Sequence, residues 1–423
     1  MIRFLIKGLL RDPSRSLFPL LVVTLGVALT VLLHGWLGGV MHDFVDTSAR
    51  FSTGHVRVVT RAYAEQEDQF PNDLALLGVE KLLEELRQKE RELDWVARIR
   101  FTALVDVPDE QGETKAQGPA VAIAADLLSQ HNELSTLNVP RALVRGDVPP
   151  RAGWVLLSEE LAQRLGLTPG DRLTLIGSSM HGAMAIGNFR LAGTVRFGVG
   201  PMDRGALLMD LSDARQLLDM EDGASEVLGL FRNRVYRNAA ARAVAERFNQ
   251  EYAKDTGEFS PIMMTLGEQQ GLGEYLAYVG VFSRIMVVVF VLAMSLVLWN
   301  AGLLGALRRH GEVGVRLAIG EDKGHIYRSM LAESLCIGLV GSVLGTLAGL
   351  AVVYVLQVKG IDMGRFFKSS SLMFSNVVRA RVTPASFYLG FVPGLFSTML
   401  GTALSGIRIY KRETAQLFKE FES

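Results

Sequence analysis

Residues 306–333 read Ala-Leu-Arg-Arg-His-Gly-Glu-Val-Gly-Val-Arg-Leu-Ala-Ile-Gly-Glu-Asp-Lys-Gly-His-Ile-Tyr-Arg-Ser-Met-Leu-Ala-Glu. They form a short polar segment between two long apolar ones. Arg308, Arg309, Arg316, Lys323 and Arg328 outnumber Glu312, Glu321 and Asp322. A cationic loop between two membrane spans is retained on the cytoplasmic side. Val313, Leu317 and Ile319, with Ala318, predict a short amphipathic helix closed by Gly320 at its C-cap. Such a helix is too short to span a bilayer but suits docking into a groove on a partner. Glu312 and Arg316 are four apart and share a helix face, and Gly314 between them permits close approach of another surface.

Working outward, the flanking segments are membrane spans by length and composition. Leu276–Leu307 is apolar apart from Arg284, Trp299 and Asn300. Ser329–Leu356 carries Gly341, Gly345 and Gly349 at intervals of four, one glycine face against which another helix backbone can pack closely. Glu333 opens this span beside the polar segment, as a candidate partner for it. Asn300 is the other polar candidate within a span, positioned to bond across helices. Ala385–Ile409 contains Pro393 and Gly394, which predict a kink. Leu17–Val40 is a further apolar run of 24 residues, longer than the core of a signal peptide and without a clear cleavage site, so it is expected to remain as a membrane helix. The basic residues of the amphipathic start before it place the N-terminus inside. The stretch 42–272 has soluble character. Helical and strand-like patterns alternate along it, including a helix over Leu74–Leu93, a strand over Val96–Val107 and a short helix from Ser158 to Gly166, which together form an α+β pattern.

The expected fold is therefore an α-helical membrane protein with four transmembrane helices and a large α+β extracytoplasmic domain inserted between the first and second. The divisions are 1–16 (cytoplasmic amphipathic start), 17–40 (first span), 41–274 (extracytoplasmic domain, with a strand-rich subdomain about 118–220) and 275–307 (second span). They continue as 308–328 (cytoplasmic helix and loop), 329–357 (third span), 358–383 (extracytoplasmic loop), 384–409 (fourth span) and 410–423 (cytoplasmic tail). The loop 358–383 is itself basic, against the charge rule, but the other three segments together outweigh it.

The pattern Arg309-x-x-Glu312-Val313-Gly314-Val315-x-Leu317-Ala318-Ile319-Gly320 resembles the signature of FtsX-like permeases. That family includes MacB-type exporters and the lipoprotein-releasing LolC/LolE subunits. The sequence departs from the family form by one extra residue between Arg309 and Glu312, by Arg316-Leu317-Ala318 in place of Arg-Ala, and by Glu321 where Ala or Met is usual. Arg-Asp-Pro-Ser-Arg-Ser at 11–16 resembles the family's start. Leu161-Ala-x-x-Leu165-Gly-Leu-x-Pro-Gly-Asp-x-Leu173 resembles the inserted subdomain of its extracytoplasmic region. One span, a large domain and then three spans is the family's arrangement.

The resemblance implies that Arg308, Arg309, Glu312, Gly314, Arg316 and Gly320 form an ATPase-coupling helix. It implies two copies of a separate cytoplasmic ABC ATPase, a second permease copy or paralogue, and a periplasmic lipoprotein chaperone or adaptor. ATP and magnesium would act through the partner ATPase, with no cofactor bound directly. The implied location is the bacterial inner membrane, with lipoprotein release as the leading role. MacB-like mechanotransmission and FtsX-like activation of a cell-wall hydrolase are the alternatives.

Composition limits the function further. Net charge is zero, so no electrostatic case for nucleic-acid binding arises. Cys336 is the one cysteine, so an internal disulfide or cysteine-based metal site is excluded. The sequence holds no Gly-x-x-x-x-Gly-Lys-Ser/Thr, no His-Glu-x-x-His and no Gly-x-Ser-x-Gly, so no catalytic residue is assigned.

Overall fold

A computed structural model describes residues 13–130, 132–269, 272–307, 315–364, 373 and 375–411. It divides into two compact bodies. One is built from the stretches up to Met41, from Val279 to Ile361 and from Val378 onward; the other holds His42–Tyr278 together with Asp362–Val377.

Helix α1 runs from Pro13 to Ser48 and gives way to one π-helical turn, Ala49–Thr53. The domain then supplies ten paired strands: β1 (Val56–Thr60), β2 (Leu93–Pro108), β3 (Thr114–Ala125), β4 (Leu143–Gly146), β5 (Trp154–Ser158), β6 (Arg172–Ser178), β7 (Met184–Val195), β8 (Ala206–Asp210), β9 (Glu226–Phe231) and β10 (Pro261–Thr265). Between them lie α2 (Val79–Lys89), α3 (Glu159–Leu165), α4 (Leu211–Leu218) and α5 (Asn238–Glu251).

The strand order is β10-β1-β9-β2-β3-β8-β5-β7-β4, and β6 bridges β2 to β7. Consequently β2, β3, β8, β5, β7 and β6 pair around a closed ring. Two of its pairings, β3 with β8 and β5 with β7, are parallel. The remaining strands β10, β1 and β9 continue from the first half of β2 as an antiparallel sheet. Strand β2 belongs to both parts: Leu93–Arg98 pair with β9, and Ile99–Pro108 pair with β3. Its alternation explains this double role. Leu93, Trp95, Ala97, Ile99, Phe101, Ala103, Val105 and Val107 are all buried on one face, as the two-residue period of a strand dictates.

Local chemistry sets several boundaries. Ser158 caps α3 by accepting from Leu161 N at 3.4 Å, and the helix stops at Gly166 in the left-handed region. The expected helix over Leu74–Leu93 is shorter, Val79–Lys89. Leu76–Leu77 instead pair with Gly223–Ala224, and Gly78 at φ +67° breaks the chain before the helix starts. Residues from the connection after the third span join the domain. Asn376 N donates to Gly198 O at 2.5 Å, Val199 and Ser375 form a bridge, and Met373 packs on the cluster that includes Phe51 and Val199. That connection therefore lies with the large domain. Asp203 braces the receiving loop, accepting from Phe197 N at 2.7 Å and Val199 N at 3.1 Å.

In the helical body, α6 (Leu272–Leu307) and α7 (Lys323–Lys359) are followed by the last span, which is irregular before α8 (Thr398–Lys411). Pro393 and Gly394 fall inside a π-helical stretch, Val392–Ser397. Helix α7 begins at Lys323, ahead of the apolar run at Ser329, because Asp322 supplies a side-chain cap to His325 N. Four helical segments among the described residues are long and apolar enough to cross a membrane: Leu17–Thr53, Ala277–Val297, Lys323–Lys359 and Pro384–Leu404.

Candidate functional site

The glycine face of α7 is a place of close helix approach. A Cβ on Gly341 would stand 2.6 Å from Val23 Cγ1, one on Gly345 would stand 2.5 Å from Thr24 O, and one on Gly349 would stand 2.9 Å from Ala28 O. Val23, Val27 and Val31 of α1 answer the three glycines at the same spacing of four, and all three are buried. With lipid as solvent, such van der Waals contact is the main source of helix association. The last span enters the same seam: Gly390 meets Val27 and Gly394 meets Ser342. At the start of α7, Tyr327 OH donates to Ala403 O at 3.4 Å, and Gly401 lies against the backbone of Trp299 on α6.

The polar segment before α7 is described from Val315. Residues 315–318 form one helical turn. Glu321 N donates to Arg316 O and Gly320 N to Leu317 O, with Gly320 at φ +92°, so the turn closes in a Schellman arrangement. Leu317 packs on Ile326 of α7, as Met330 does. Ile319 does not share that inward face. Ile319 is 79% exposed and Val315 58% exposed, and four-residue spacing puts these two on one outer face. Arg316 is half-buried. Arg308, Arg309, Glu312, Gly314 and Val313 lie outside the described residues.

The intramembrane polar candidates separate. Glu333 is half-buried on α7. Asn300 is exposed on α6. Arg284 turns back on its own helix, donating to Gly280 O at 3.2 Å. No group of three or more metal-ligating side chains occurs among the described residues.

Sequence reasoning did not single out the buried polar groups of the domain. His55 is neutral, with Nδ1 accepting from Phe231 N at 2.8 Å, and burial pushes its pKa down to about 4. Arg57 is wholly buried between Glu226 and Glu67. Arg98 and Arg100, at even positions of β2, are also buried, and Arg98 pairs with Glu133. The available signal was charge at alternate positions of an otherwise apolar strand, a pattern that reads from sequence as a solvated face.

Comparison with known proteins bears on the whole arrangement. The profile of the MacB-like periplasmic core domain matches residues 16–247, and that of the FtsX-like permease C-terminal region matches residues 284–414. No curated protein matches. Among solved structures, the periplasmic region of MacB from Actinobacillus actinomycetemcomitans aligns over 50% of this chain and 89% of that one, with 11% identity and a TM-score of 0.34. The first profile alone spans more than half of the 423 residues, and the second takes in the three later spans, so this chain belongs to the FtsX-like, MacB-like family of ABC transporter permeases.

Proposed function

We propose that the chain is the transmembrane subunit through which two copies of a separate cytoplasmic ABC ATPase move a periplasmic domain. Its proposed cargo is lipoprotein, released from the outer leaflet of the inner membrane. Permeases of this family work with ABC ATPases in general. One observation carries the coupling role. The turn at 315–318 is anchored by Leu317 on α7 and leaves Val315 and Ile319 uncovered beside a basic segment. An apolar pair fixed on a rigid helix at a polar end of the spans has the form of a knob for a partner's groove. The lipid-facing cargo is supported by α6, whose most apolar window contains no buried residue. That face is open to acyl chains and to a second permease copy.

Ile319→Glu tests the reading. Burying one isoleucine side chain is worth about 1.5–3 kcal/mol, which corresponds to roughly a 10- to 150-fold change in affinity. The variant is expected to insert normally, lose the co-purifying ATPase by at least tenfold and stop ATP-dependent lipoprotein release from proteoliposomes. Unchanged recovery of the ATPase with Ile319→Glu would overturn the coupling role. Retained ATPase coupling without lipoprotein release in the native protein would overturn the cargo alone.

A further inference from the structure

A helix end leaves its last carbonyls without intrahelical partners. At the end of α1, Gly54 N takes Ala49 O at 3.0 Å. Buried side chains from distant parts of the domain take other groups. Arg98 Nη1 donates to Arg50 O at 2.7 Å, and Gln269 Nε2 donates to Thr53 O at 3.1 Å. Arg100 Nη1 donates to Ser52 Oγ at 3.1 Å. Arg98 and Arg100 are two residues apart on β2, so both reach from one strand face. Their charge also meets the negative pole of the helix.

Arg98 is held from a second side. Its Nη2 and Nε fork onto Glu133 Oε2 at 2.6 and 3.1 Å, and both residues are almost fully buried, at 0% and 1% exposure. The position along the strand is specific. Arg98 stands opposite Glu226 on β9, whereas its neighbour Ile99 stands opposite Ala124 on β3. The clamp thus grips the helix end at the point where β2 leaves the antiparallel sheet and enters the ring.

Buried ion pairs are poor sources of stability, and apolar replacements of similar volume are often neutral or better. What a forked guanidinium adds is fixed geometry in three directions, which sliding apolar packing lacks. We propose that Arg98, clamped by Glu133 and assisted by Arg100 and Gln269, is the positioning residue that turns a displacement of the α1 terminus into a change of angle between ring and sheet. The proposal rests on the permease reading above.

The test uses the full chain with its co-purified ATPase in nanodiscs. Spin labels are placed at Asp109→Cys in the ring and Lys254→Cys beside the sheet, on a Cys336→Ser background. Distances are compared without nucleotide and with ATP plus vanadate. The otherwise native protein is expected to show a nucleotide-dependent shift. Arg98→Met/Glu133→Leu is expected to fold, bind the ATPase and hydrolyse ATP, with the shift reduced at least fivefold. Arg98→Lys keeps a charge for Glu133 but loses the fork, and is expected to reduce the shift by about half; it decides the question if the double variant fails to fold. A full-sized shift in the folded variants would overturn the clamp while leaving the permease reading intact. Absence of a co-purifying ATPase, or of any shift in the native background, would instead refute the permease reading and the clamp with it.

Discussion

Two glycine-to-alanine changes in membrane helices should move stability in opposite directions. At Gly38 of α1 an added Cβ meets nothing within 4 Å. There alanine only restricts the unfolded chain and improves helix propensity, a gain of about 0.5–1 kcal/mol. At Gly345 of α7 the same methyl would lie 2.5 Å from Thr24 O and 2.7 Å from Val27 Cβ, where ordinary contact begins at 3.4 Å. A backbone carbonyl on a helix cannot step aside, so α1 and α7 must part locally by about 0.9 Å. A gap of that order forfeits between a quarter and a half of each dispersion contact along the seam, and overpacking of this kind costs about 1–3 kcal/mol. After the propensity gain, Gly345→Ala should still lose up to about 2.5 kcal/mol, and Gly345→Leu should lose more than about 3 kcal/mol. Cys336 is the chain's one thiol and sits half-buried on α7 itself, so a thiol-reactive dye reports the opening of that helix on heating in detergent. The expected order of melting temperatures is Gly38→Ala, then native, then Gly345→Ala, then Gly345→Leu. If Gly345→Ala melts as high as Gly38→Ala, the glycine face does not meet α1 and the packing argument fails.

Asp203 should make stability depend on pH. Burial raises its pKa from 3.8 to about 6, with Glu160 adding to the shift, while its backbone hydrogen bonds pull the other way. Because the folded value lies above the unfolded one, the associated stability is complete below about pH 3.8 and is lost as pH rises through about 6, a difference of about 3 kcal/mol. Asp203→Asn should remove this component from melting curves measured between pH 4 and 8, and an unchanged pH slope would count against the assignment. Topology can be checked with Asp109→Cys and Glu321→Cys on a Cys336→Ser background. An impermeant maleimide should label the first in intact cells and the second only after lysis, and the reverse pattern would invert the proposed orientation.

How far the sequence spoke for itself differs from element to element. The spans were legible because an apolar run of sufficient length has few alternatives, and β2 was legible over Val96–Val107, although its first residue, Leu93, was read as the end of the preceding helix. Ser158 and Gly166 marked both ends of α3 through capping chemistry that acts within a few residues. Pairings that depend on distant sequence were not legible. Nothing local in β3 or β5 announces parallel partners, and the closing of the ring by β6 rests on contacts with two separate strands. The spacing of Gly341, Gly345 and Gly349 announced a close approach without naming α1 as the helix approached.

The basic loop after the third span shows how charge and contact weigh against each other. Counted as a short loop, Lys359–Arg381 argues for the cytoplasmic side. Yet Asp362–Val377 belongs to the same compact body as the large domain, through Asn376 on Gly198, the bridge between Val199 and Ser375, and Met373 on the core. A segment built into a folded domain must stand on that domain's side of the membrane. Of the basic residues of that connection, Lys359, Arg379 and Arg381 belong to the helical body, so they still count among the charges that orient the spans. They are outnumbered: the start before Leu17, the segment around Arg308–Arg328 and the tail after Ile409 together hold more lysine and arginine than the connection does. The charge rule is a matter of number here: the contacts of Asp362–Val377 place that stretch with the domain, and the cationic excess of the other three segments outweighs the basic residues at its two ends.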